Sequence, residues 1–326
     1  MMTYTASQLL DKVNAYLKKM PYVRPPQGLY EPIAYELSLG GKRIRPVLML
    51  MAYNIYKEDV DTILPQAVGL ETYHNHTLLH DDVMDKADMR RNKPTVHNVW
   101  NENTAILSGD AMLILAYRLM ADCPQDKLAE VLRTFTETTM EICEGQQWDM
   151  EFEDRMDVKV DEYINMIRLK TSVLLAAALK IGAILADAPA EEAQKLYDFG
   201  LKMGLAFQLQ DDWLDVYGDS NVFGKNIGGD ILCNKKTYML ITALEQANEV
   251  QYETLKQWLN AVDYVPAKKI AAVTALYNEI GVGHRCEEKI EAYYSEGLAV
   301  LESIALPEER KETLKAFACS LMNRQV

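Results

Sequence analysis

Two short acidic motifs are the residues of this 326-residue chain whose types and spacing most clearly suggest chemistry. Both DDVMD and DDWLD read Asp-Asp-x-x-Asp, and both occur late in a long, mainly apolar stretch. On a helix, residues four apart share a face, so Asp81 projects beside Asp85 and Asp211 beside Asp215. An isolated motif of this kind is also typical of a solvated helix face, where like charges four residues apart are only weakly unfavourable.

The apolar surroundings favour a metal site over a solvated face. The segments HTLLHDDVMDKA and LAFQLQDDWLDVY are apolar around most of a helical wheel. Two carboxylates about 6 Å apart repel by roughly 3 kcal/mol at an effective dielectric constant near 20, so clustered carboxylates need cations. Carboxylate oxygens without cysteine ligands suit Mg²⁺, which shares its shell with water and substrate phosphates. We therefore expect two carboxylate clusters that face one another and hold a polyphosphate through several Mg²⁺ ions.

A zinc site is the alternative at the first motif. His76 and His80 lie four residues apart beside Asp81, which is a possible spacing for metal ligands on one helix. No third nitrogen or sulfur ligand is evident nearby in the sequence. The sequence therefore favours Mg²⁺ over zinc.

Basic residues that could bind an anion occur in short groups. The segment LGGKRIRPVL places Lys42, Arg43 and Arg45 after two glycines, which let the backbone approach a ligand. Arg90 and Arg91 follow the first acidic motif, and arginine suits phosphate oxygens. Each group is equally compatible with ordinary surface charge or charge compensation. Further candidates are Lys170 with Thr171 in an apolar helix, Lys225 in a glycine-rich loop, and Lys235.

Helical periodicity dominates almost the whole chain. The predicted helices span approximately residues 5–19, 29–38, 44–57, 63–88, 104–121, 127–150, 161–186, 190–217, 236–247, 251–260, 266–303 and 308–324. No alternating run is convincing as a strand, and no linker or change in composition divides the chain. The sequence therefore predicts one all-α domain over residues 1–326, although length alone suggests about two domains.

Composition excludes some classes of function. The formal net charge is −14, and no basic cluster is present that would neutralise the phosphates of a nucleic acid. The five cysteines are scattered without a CxxC motif, which is typical of reduced thiols in a cytoplasmic protein. The most apolar stretch, SVLLAAALKIGAILADA, is broken by Lys180 and is short for a membrane span. The N-terminal residues do not have the pattern of a signal peptide.

Taken in chain order, these motifs resemble those of the trans-isoprenyl diphosphate synthases, the polyprenyl synthetase family. The resemblance covers almost the whole chain and rests on GGKRIRP, DDVMD with RRNKPT, GQQWD, the Lys170-Thr171 pair, FQLQDDWLD and FGKNIGGD. It implies a single-domain, all-α helical bundle with a central active-site cavity, usually as a homodimer. It also implies Mg²⁺-dependent condensation of isopentenyl diphosphate with an allylic diphosphate (dimethylallyl, geranyl or farnesyl) to an all-trans prenyl diphosphate.

The resemblance assigns expected roles residue by residue. The expected metal ligands, for about three Mg²⁺ ions with bound diphosphate, are Asp81, Asp85, Asp211 and Asp215. The residues that resemble the isopentenyl diphosphate site are Lys42, Arg45, His74 and Arg91. Those that resemble the allylic diphosphate site are Arg90, Lys170, Thr171, Gln208, Lys225 and Lys235. Among these, Lys170, Thr171 and Gln208 are expected to be catalytic, because their oxygen dipoles would stabilise an allylic cation.

Product length is expected to depend on the residues one helical turn before the first motif. In the family, large aromatic residues at the positions of His76 and Thr77 close the cavity early, whereas small residues allow longer chains. His76 is intermediate and Thr77 is small, so the sequence favours products of C15–C20, with a preference for C20. A longer-chain polyprenyl diphosphate synthase is the alternative.

Two more distant alternatives share parts of this pattern. A terpene cyclase would share the fold and the first motif, but DDWLD and GGKRIRP argue against it. A non-catalytic partner subunit would have lost motifs that are present here. Two departures from the family pattern stand out: Asn92 replaces a common glycine, a change that asparagine tolerates in a positive-φ turn, and Arg324 is all that remains of a basic C-terminal tail.

Overall fold

The computed structural model describes residues 3–22, 24–219 and 227–322, and its fold is all-α, as predicted. The helices of the first half are α1 (Ala6–Lys19), α2 (Gln27–Ser38), α3 (Ile44–Asn54), a 3₁₀ turn (Val60–Ile63), α4 (Leu64–Met84), α5 (Val96–Val99), α6 (Glu102–Met120) and α7 (Leu128–Glu153). They continue as α8 (Val160–Ile167), a π-helical segment (Arg168–Ser172), α9 (Val173–Leu185), α10 (Ala190–Tyr217), α11 (Gly229–Leu232), α12 (Tyr238–Gln246), α13 (Glu249–Leu259), α14 (Pro266–Ile280), α15 (Val282–Glu302) and α16 (Glu308–Met322). None of the helices described in these ranges has an apolar stretch long enough to cross a membrane.

The chain groups into two compact units, each assembled from separate stretches of sequence. Unit 1 comprises Met1–Glu137, Ala177–Leu196 and Leu306–Leu314. Unit 2 comprises Thr138–Ala176, Tyr197–Ala305 and Lys315–Val326. The first acidic motif belongs to unit 1 and the second to unit 2. The single domain over residues 1–326 stays a prediction.

In unit 1, α4 carries the first acidic motif at its C-terminal end and packs along α6. Gly69 of α4 allows this approach, because a Cβ atom there would lie 3.0 Å from the Leu119 Cβ and 3.2 Å from the Ala116 carbonyl oxygen. Near the motif, Gly109 of α6 accommodates the His80 ring, whose Nε2 would lie 2.2 Å from an added Cβ. The two helices therefore run antiparallel, and small residues at both ends fix how closely the motif lies to α6.

In unit 2, a large apolar core surrounds α10, the helix of the second acidic motif. Leu209 of α10 is fully buried with Tyr163, Met239, Leu255 and Val282, which come from four other helices. Burial of such side chains stabilises by about 1.5–3 kcal/mol each relative to exposure. This core holds one face of α10 in place, so that the acidic residues occupy another face.

Three long predicted helices differ from the observed ones. The helix predicted over 63–88 ends at Met84, and a two-stranded hairpin follows, β1 (Met89–Arg90) with β2 (Lys93–Pro94). The π-helical segment interrupts the helix predicted over 161–186. The helix predicted over 266–303 divides at Gly281, whose φ of 78° ends a helix readily because glycine has no Cβ.

The hairpin after the first motif has a two-residue turn with left-handed backbone at both positions. Arg91 has φ 52° and Asn92 has φ 61°, the conformation that a type I′ turn requires. The expectation that Asn92 supports a positive-φ turn in place of glycine is therefore confirmed. The strands themselves are too short to leave an alternating pattern in the sequence, which explains why they were not predicted.

Candidate active site

The first motif turns its middle aspartate into the protein and leaves the outer two nearer the surface. Asp82 is 2% exposed, whereas Asp81 is half-buried and Asp85 is exposed. Arg90 holds Asp82 with three hydrogen bonds: Nε donates to both carboxylate oxygens, at 2.9 and 2.7 Å, and Nη2 donates to Oδ1 at 2.7 Å. Arg90, predicted to bind the allylic diphosphate, thus uses two guanidinium nitrogens on an internal ion pair.

The second motif has the same division between its middle and outer aspartates. Asp212 is 3% exposed, and Asp211 and Asp215 are half-buried. Asp212 accepts hydrogen bonds from the Tyr163 hydroxyl on Oδ2 and from Gln208 Nε2 on Oδ1, the latter at 3.3 Å. Burial raises the pKa of Asp212 to about 7, against the opposing effect of the Tyr163 hydrogen bond.

A cavity of about 150 Å³ in unit 2 gathers most residues predicted for the allylic site. The predicted residues that line it are Lys170, Thr171, Gln208, Asp211, Asp215 and Lys235. Its other polar lining residues are Asp149, Tyr163, Asp212 and Asp230. Lys225 lies outside the described residues. Within unit 2, the structure therefore brings together side chains that lie as far apart in sequence as Asp149 and Lys235.

Lys170 and Thr171 are held by partners from different helices. Lys170 Nζ donates to Asp149 Oδ2 at 2.6 Å, which satisfies the expectation that a lysine in this apolar helix needs a partner. The Thr171 hydroxyl donates to Gln208 Oε1 at 3.3 Å. Asp149 had no predicted role, although it ends the GQQWD motif on which the resemblance partly rests.

The π-helical segment that carries Lys170 and Thr171 lies tightly between two glycines. A Cβ at Gly145 of α7 would lie 2.4 Å from the Lys170 backbone nitrogen. A Cβ at Gly204 of α10 would lie 2.6 Å from Ser172 Cα. Single π-helical turns inside α-helices occur frequently at functional sites. The two glycines allow the flanking helices to contact the backbone of this turn directly, and this fixes where its side chains start.

Gly228 and Asp230, which follow the second motif in sequence, are hydrogen-bonded to the motif itself. Asp215 Oδ2 accepts a hydrogen bond from the backbone nitrogen of Asp230 at 3.0 Å, and the Asp215 carbonyl accepts one from Gly228. Lys269 is 1% exposed, and its Nζ donates to Asn234 Oδ1 at 2.7 Å beside Lys235. These contacts position the exposed Lys235 at the cavity. The roles of Asp230 and Lys269 were not predicted, because their hydrogen bonds depend on the backbone and loop conformation, which the sequence pattern does not show.

In unit 1, the neutral ring of His74 is hydrogen-bonded to the positively charged guanidinium of Arg45. Arg45 Nη1 donates to His74 Nε2 at 3.2 Å, so His74 carries its proton on Nδ1. Burial and the Arg45 guanidinium hold the pKa of His74 well below its usual value. Burial also lowers the pKa of Arg45 to about 10. At neutral pH the pair thus presents one positive charge, from arginine.

Arg91 lies against the two glycines that precede Lys42. Arg91 Nη1 donates to the Gly40 carbonyl oxygen. A Cβ at Gly41, which has φ 130°, would lie 3.0 Å from the Arg91 guanidinium carbon. Glycine is therefore required there for both backbone and space. Lys42 is the next residue of the same loop and is exposed. The loop therefore holds together Lys42 and Arg91, which were both predicted to bind isopentenyl diphosphate.

The residues predicted to limit product length lie among aromatic rings. His76 contacts Tyr73 and His80, with ring centroids 5.6 and 4.5 Å apart, and Tyr73 in turn contacts Phe135 at 5.4 Å. Burial and the neighbouring His80 lower the pKa of His76 to about 4, so its ring is neutral at neutral pH. The hydroxyl of Thr77 donates to the His74 carbonyl at 2.8 Å. Tyr73 and Phe135, which were not predicted, lie behind His76.

The donor atoms fit a hard divalent cation that is not fully enclosed by protein. Each motif offers two outer carboxylates one helical turn apart. Across residues 3–22, 24–219 and 227–322, no three acidic, histidine or cysteine side chains come close enough to hold a metal by themselves. That arrangement suits Mg²⁺, which retains water and binds through one or two carboxylates together with phosphates. It does not support the zinc alternative at His76 and His80.

Comparisons with family models, with individual proteins and with solved structures all lead to the same family. The family model described as polyprenyl synthetase matches residues 26–280. The short chain isoprenyl diphosphate synthase of Methanocaldococcus jannaschii is 42% identical over 252 residues, which are 77% of this chain and 76% of that protein. A crystal structure of a geranylgeranyl pyrophosphate synthase has 42% identity and a TM-score of 0.93, covering 99% of this chain and 100% of the other. A structure of geranylgeranyl pyrophosphate synthase from Corynebacterium glutamicum, complexed with isoprenyl diphosphate and magnesium, has 26% identity and a TM-score of 0.82, covering 98% and 97%.

Proposed function

This chain belongs to the polyprenyl synthetase family, and on that premise we propose that it is a trans-prenyltransferase. It condenses isopentenyl diphosphate with an allylic diphosphate (dimethylallyl, geranyl or farnesyl) and forms an all-trans prenyl diphosphate of C15–C20. The observation that carries the proposal is the unit 2 cavity, where carboxylates, lysines and the Thr171–Gln208 pair line one space. An allylic diphosphate needs just these groups: ligands for metal-bound phosphate, cations, and oxygen dipoles near the reacting carbon.

In the proposed reaction, Asp81 and Asp85 hold Mg²⁺ in unit 1, and Asp211 and Asp215 hold Mg²⁺ in unit 2, with about three ions in all. When bound, Mg²⁺ neutralises the charge that develops on the departing diphosphate. The hydrogen bond from the Asp230 backbone fixes one oxygen of Asp215 and so orients its carboxylate. The magnesium-containing relative from Corynebacterium glutamicum supports this assignment.

Lys170 and Lys235 bind the allylic diphosphate, and the Thr171–Gln208 pair stabilises positive charge on the allylic carbon. The Gln208 amide has a defined orientation, because Nε2 donates to Asp212 while Oε1 accepts from Thr171. Its oxygen is therefore the end directed towards the threonine, where an electron-rich dipole opposes a developing cation. Arg90 and Lys225 remain proposed ligands of the same diphosphate.

Lys42, Arg45, His74 and Arg91 bind isopentenyl diphosphate. Because His74 is neutral and accepts from Arg45, it orients a guanidinium without adding charge. The isopentenyl double bond attacks the allylic carbon as the carbon–oxygen bond to diphosphate breaks, and a proton is then lost to the released diphosphate. No nucleophilic side chain is needed for this reaction.

The proposed product length rests on the residues before the first motif. His76, supported by Tyr73 and Phe135, forms the floor of the space for the growing chain, and Thr77 leaves room beside it. This combination favours C20 over C15. We also propose that the protein acts as a homodimer in the cytoplasm; the family resemblance and the scattered cysteines support this assignment.

The decisive experiment is an elongation assay. The protein is incubated with Mg²⁺, labelled isopentenyl diphosphate, and dimethylallyl, geranyl or farnesyl diphosphate, and products are separated by chain length. We expect geranylgeranyl diphosphate as the main product, and none when Mg²⁺ is chelated. The exposed Asp263→Asn variant is a matched control for aspartate substitutions and should retain activity. No elongation from any of the three primers would refute the synthase assignment, and a cyclised hydrocarbon would favour a terpene cyclase.

A further inference from the structure

Glu36, in the last turn of α2, is a buried carboxyl group whose hydrogen bonds are not made. Its exposed fraction is 0%, and neither Oε1 nor Oε2 has a hydrogen-bond partner among the described residues. Its neighbours on the helix do have partners: the Tyr35 hydroxyl donates to the Pro94 carbonyl at 2.7 Å, and the Ser38 hydroxyl donates to the Tyr35 carbonyl at 2.7 Å. A buried carboxylate without a donor is strongly disfavoured unless it takes up a proton or gains a cation.

The end of α2 contacts two arginines, Arg43 and Arg91, and Arg91 belongs to the proposed isopentenyl diphosphate site. Arg43 Nη2 donates to the Leu37 carbonyl, the residue after Glu36, at 2.6 Å. Arg91 Nη1 donates to the Gly40 carbonyl two residues beyond the helix. Cations at the C-terminal end of a helix are also favoured by its dipole. Two guanidinium groups are therefore fixed around the segment that carries Glu36.

Within the part of the chain that the structure describes, Glu36 makes no ion pair, although the neighbouring carboxylates Glu71 and Asp82 each pair with an arginine. The charged and titratable groups that act on Glu36 are Asp82 from α4, Arg43 just before α3, Arg90 and Arg91 from the hairpin, and Tyr35 on α2 itself. Arg43 pairs with Glu71 at 2.6 Å, and Arg90 pairs with Asp82 at 2.7 Å. Arg91 bonds to a carbonyl oxygen rather than to Glu36.

We propose that Glu36 is a positioning residue that sets the affinity of this arginine cluster for diphosphate by taking up a proton when the anion binds. The inference rests on the proposed function, which places a diphosphate at Lys42, Arg45 and Arg91. A bound anion cancels the positive potential of the arginines at Glu36, so the carboxyl group then favours its neutral form. The proton comes from solvent, binds a carboxylate oxygen of Glu36, and returns to solvent when the diphosphate leaves.

Burial together with the local charges places the protonation of Glu36 near neutral pH. Burial and Asp82 raise the pKa of Glu36 to about 7, although Arg90, Arg91 and Arg43 act in the opposite direction. By linkage, a proton that is taken up on binding makes binding weaker as the pH rises. Raising the pH through 7 therefore adds a buried negative charge beside the anion site and lowers its affinity for diphosphate.

The test is calorimetric titration of the full-length protein with inorganic pyrophosphate, in buffer with EDTA so that metal-dependent binding is excluded. Titrations at pH 7 in two buffers of different ionisation enthalpy give the number of protons taken up. Pyrophosphate itself titrates in this range, so the informative quantity is the difference between wild type and Glu36→Gln. Glu31→Gln, an exposed glutamate on the same helix, is the matched control.

We expect wild type and Glu31→Gln to take up more protons per pyrophosphate than Glu36→Gln, by a fraction approaching one. We also expect Glu36→Gln to bind pyrophosphate roughly fivefold more tightly than wild type at pH 8, the size typical of coupled sites, and equally at pH 5.5. Glu36→Leu, which suits a buried apolar position, should show the same loss of proton uptake if the glutamine variant does not fold.

Equal proton uptake by wild type and the Glu36 variants would overturn the proposal. So would failure of pyrophosphate to bind a wild-type protein that elongates isopentenyl diphosphate; in that case the proposed function stands without this inference. Absence of both pyrophosphate binding and elongation would instead reject the proposed function, and the inference with it.

Discussion

The two acidic motifs share one sequence pattern, but they differ in what holds the middle aspartate. In the first motif, Asp82 is held by a charged guanidinium, that of Arg90, through three hydrogen bonds. In the second, Asp212 is held by the neutral hydroxyl of Tyr163 and the amide of Gln208. A charged partner compensates a buried carboxylate, whereas neutral partners do so only in part, which agrees with the raised pKa of Asp212.

The residues of the pattern Asp-Asp-x-x-Asp therefore divide into two tasks, which belong to the outer aspartates and to the middle one. The outer aspartates lie near the surface or a cavity, and they are the proposed metal ligands. The middle aspartate attaches its helix to a neighbouring element. In unit 1 this element is the hairpin, whose Arg90 lies eight residues after Asp82. In unit 2 it is α8, whose Tyr163 lies 49 residues before Asp212. The proposed chemistry is therefore repeated, but the structural support is not.

The largest expected effect comes from the outer aspartates, where the two motifs should behave alike. Asp81→Asn and Asp211→Asn each remove one proposed metal ligand, and we expect each to lower the elongation rate by roughly 10²–10³-fold, the range for loss of one group that stabilises developing charge. Steady-state assays with saturating Mg²⁺ measure this, with Asp263→Asn as the control. Activity within tenfold of wild type in either variant would exclude that residue as a ligand.

The middle aspartates should separate the two motifs. Asp82→Asn leaves Arg90 without its counter-ion in a largely buried position, and we expect a loss of about 3 kcal/mol in the free energy of unfolding. Asp212→Asn should lose less than about 1 kcal/mol, because the Tyr163 hydroxyl can donate to an amide oxygen as well. Urea unfolding at pH 8 compares them. Equal losses would remove the distinction between charged and neutral support.

The π-helical segment is a feature of the second region only, and Gly145 tests it. Gly145→Ala places a methyl group against the backbone of Lys170 and Leu169, so we expect destabilisation of about 2 kcal/mol together with a lower elongation rate. The control is Gly28→Ala in α2, where no described atom beyond the neighbouring residues and the helix's own backbone lies within 4 Å of the added Cβ. Thermal unfolding and activity are measured for both. A Gly145→Ala variant as stable and active as Gly28→Ala would show that the tight contact has no consequence.

The smallest effect concerns the turn that supports the first motif. Asn92→Gly should be nearly neutral, since glycine adopts positive φ freely, whereas Asn92→Val should destabilise by about 1–2 kcal/mol because a β-branched residue does not. Thermal unfolding of the two variants gives the difference. If valine is tolerated as well as glycine, the hairpin does not depend on its left-handed turn.

Much of the fold was predictable from the sequence, because helical periodicity extends over long segments with clear apolar faces. The interruptions were not. The hairpin at Met89–Pro94, the π-helical turn at Arg168–Ser172 and the break at Gly281 each involve few residues and depend on tertiary contacts or on one backbone conformation. Short elements leave no periodic signal, so pattern analysis extended the neighbouring helices through them.

For the site, the sequence predicted which residues come together better than it predicted the contacts that each of them makes. Lys170, Thr171, Gln208 and Lys235 were predicted for the allylic site and Asp211 and Asp215 as metal ligands, and all of them line one cavity. Asp149 and Tyr163 were not predicted, because their importance comes from partners on other helices. Arg90 shows the opposite case: its charge was evident, but its bidentate use by Asp82 requires the hairpin geometry.

The most direct test of the two-task account is a thermal-shift titration with Mg²⁺ and inorganic pyrophosphate. Ligands that bind the native state raise its melting temperature in proportion to their affinity and concentration. We expect wild type, Asp82→Asn and Asp212→Asn all to show a shift that requires both ligands, with Asp82→Asn starting from a lower melting temperature. Asp81→Asn and Asp211→Asn should show a much smaller shift. A full shift in the outer variants, or its loss in a folded middle variant, would contradict the account.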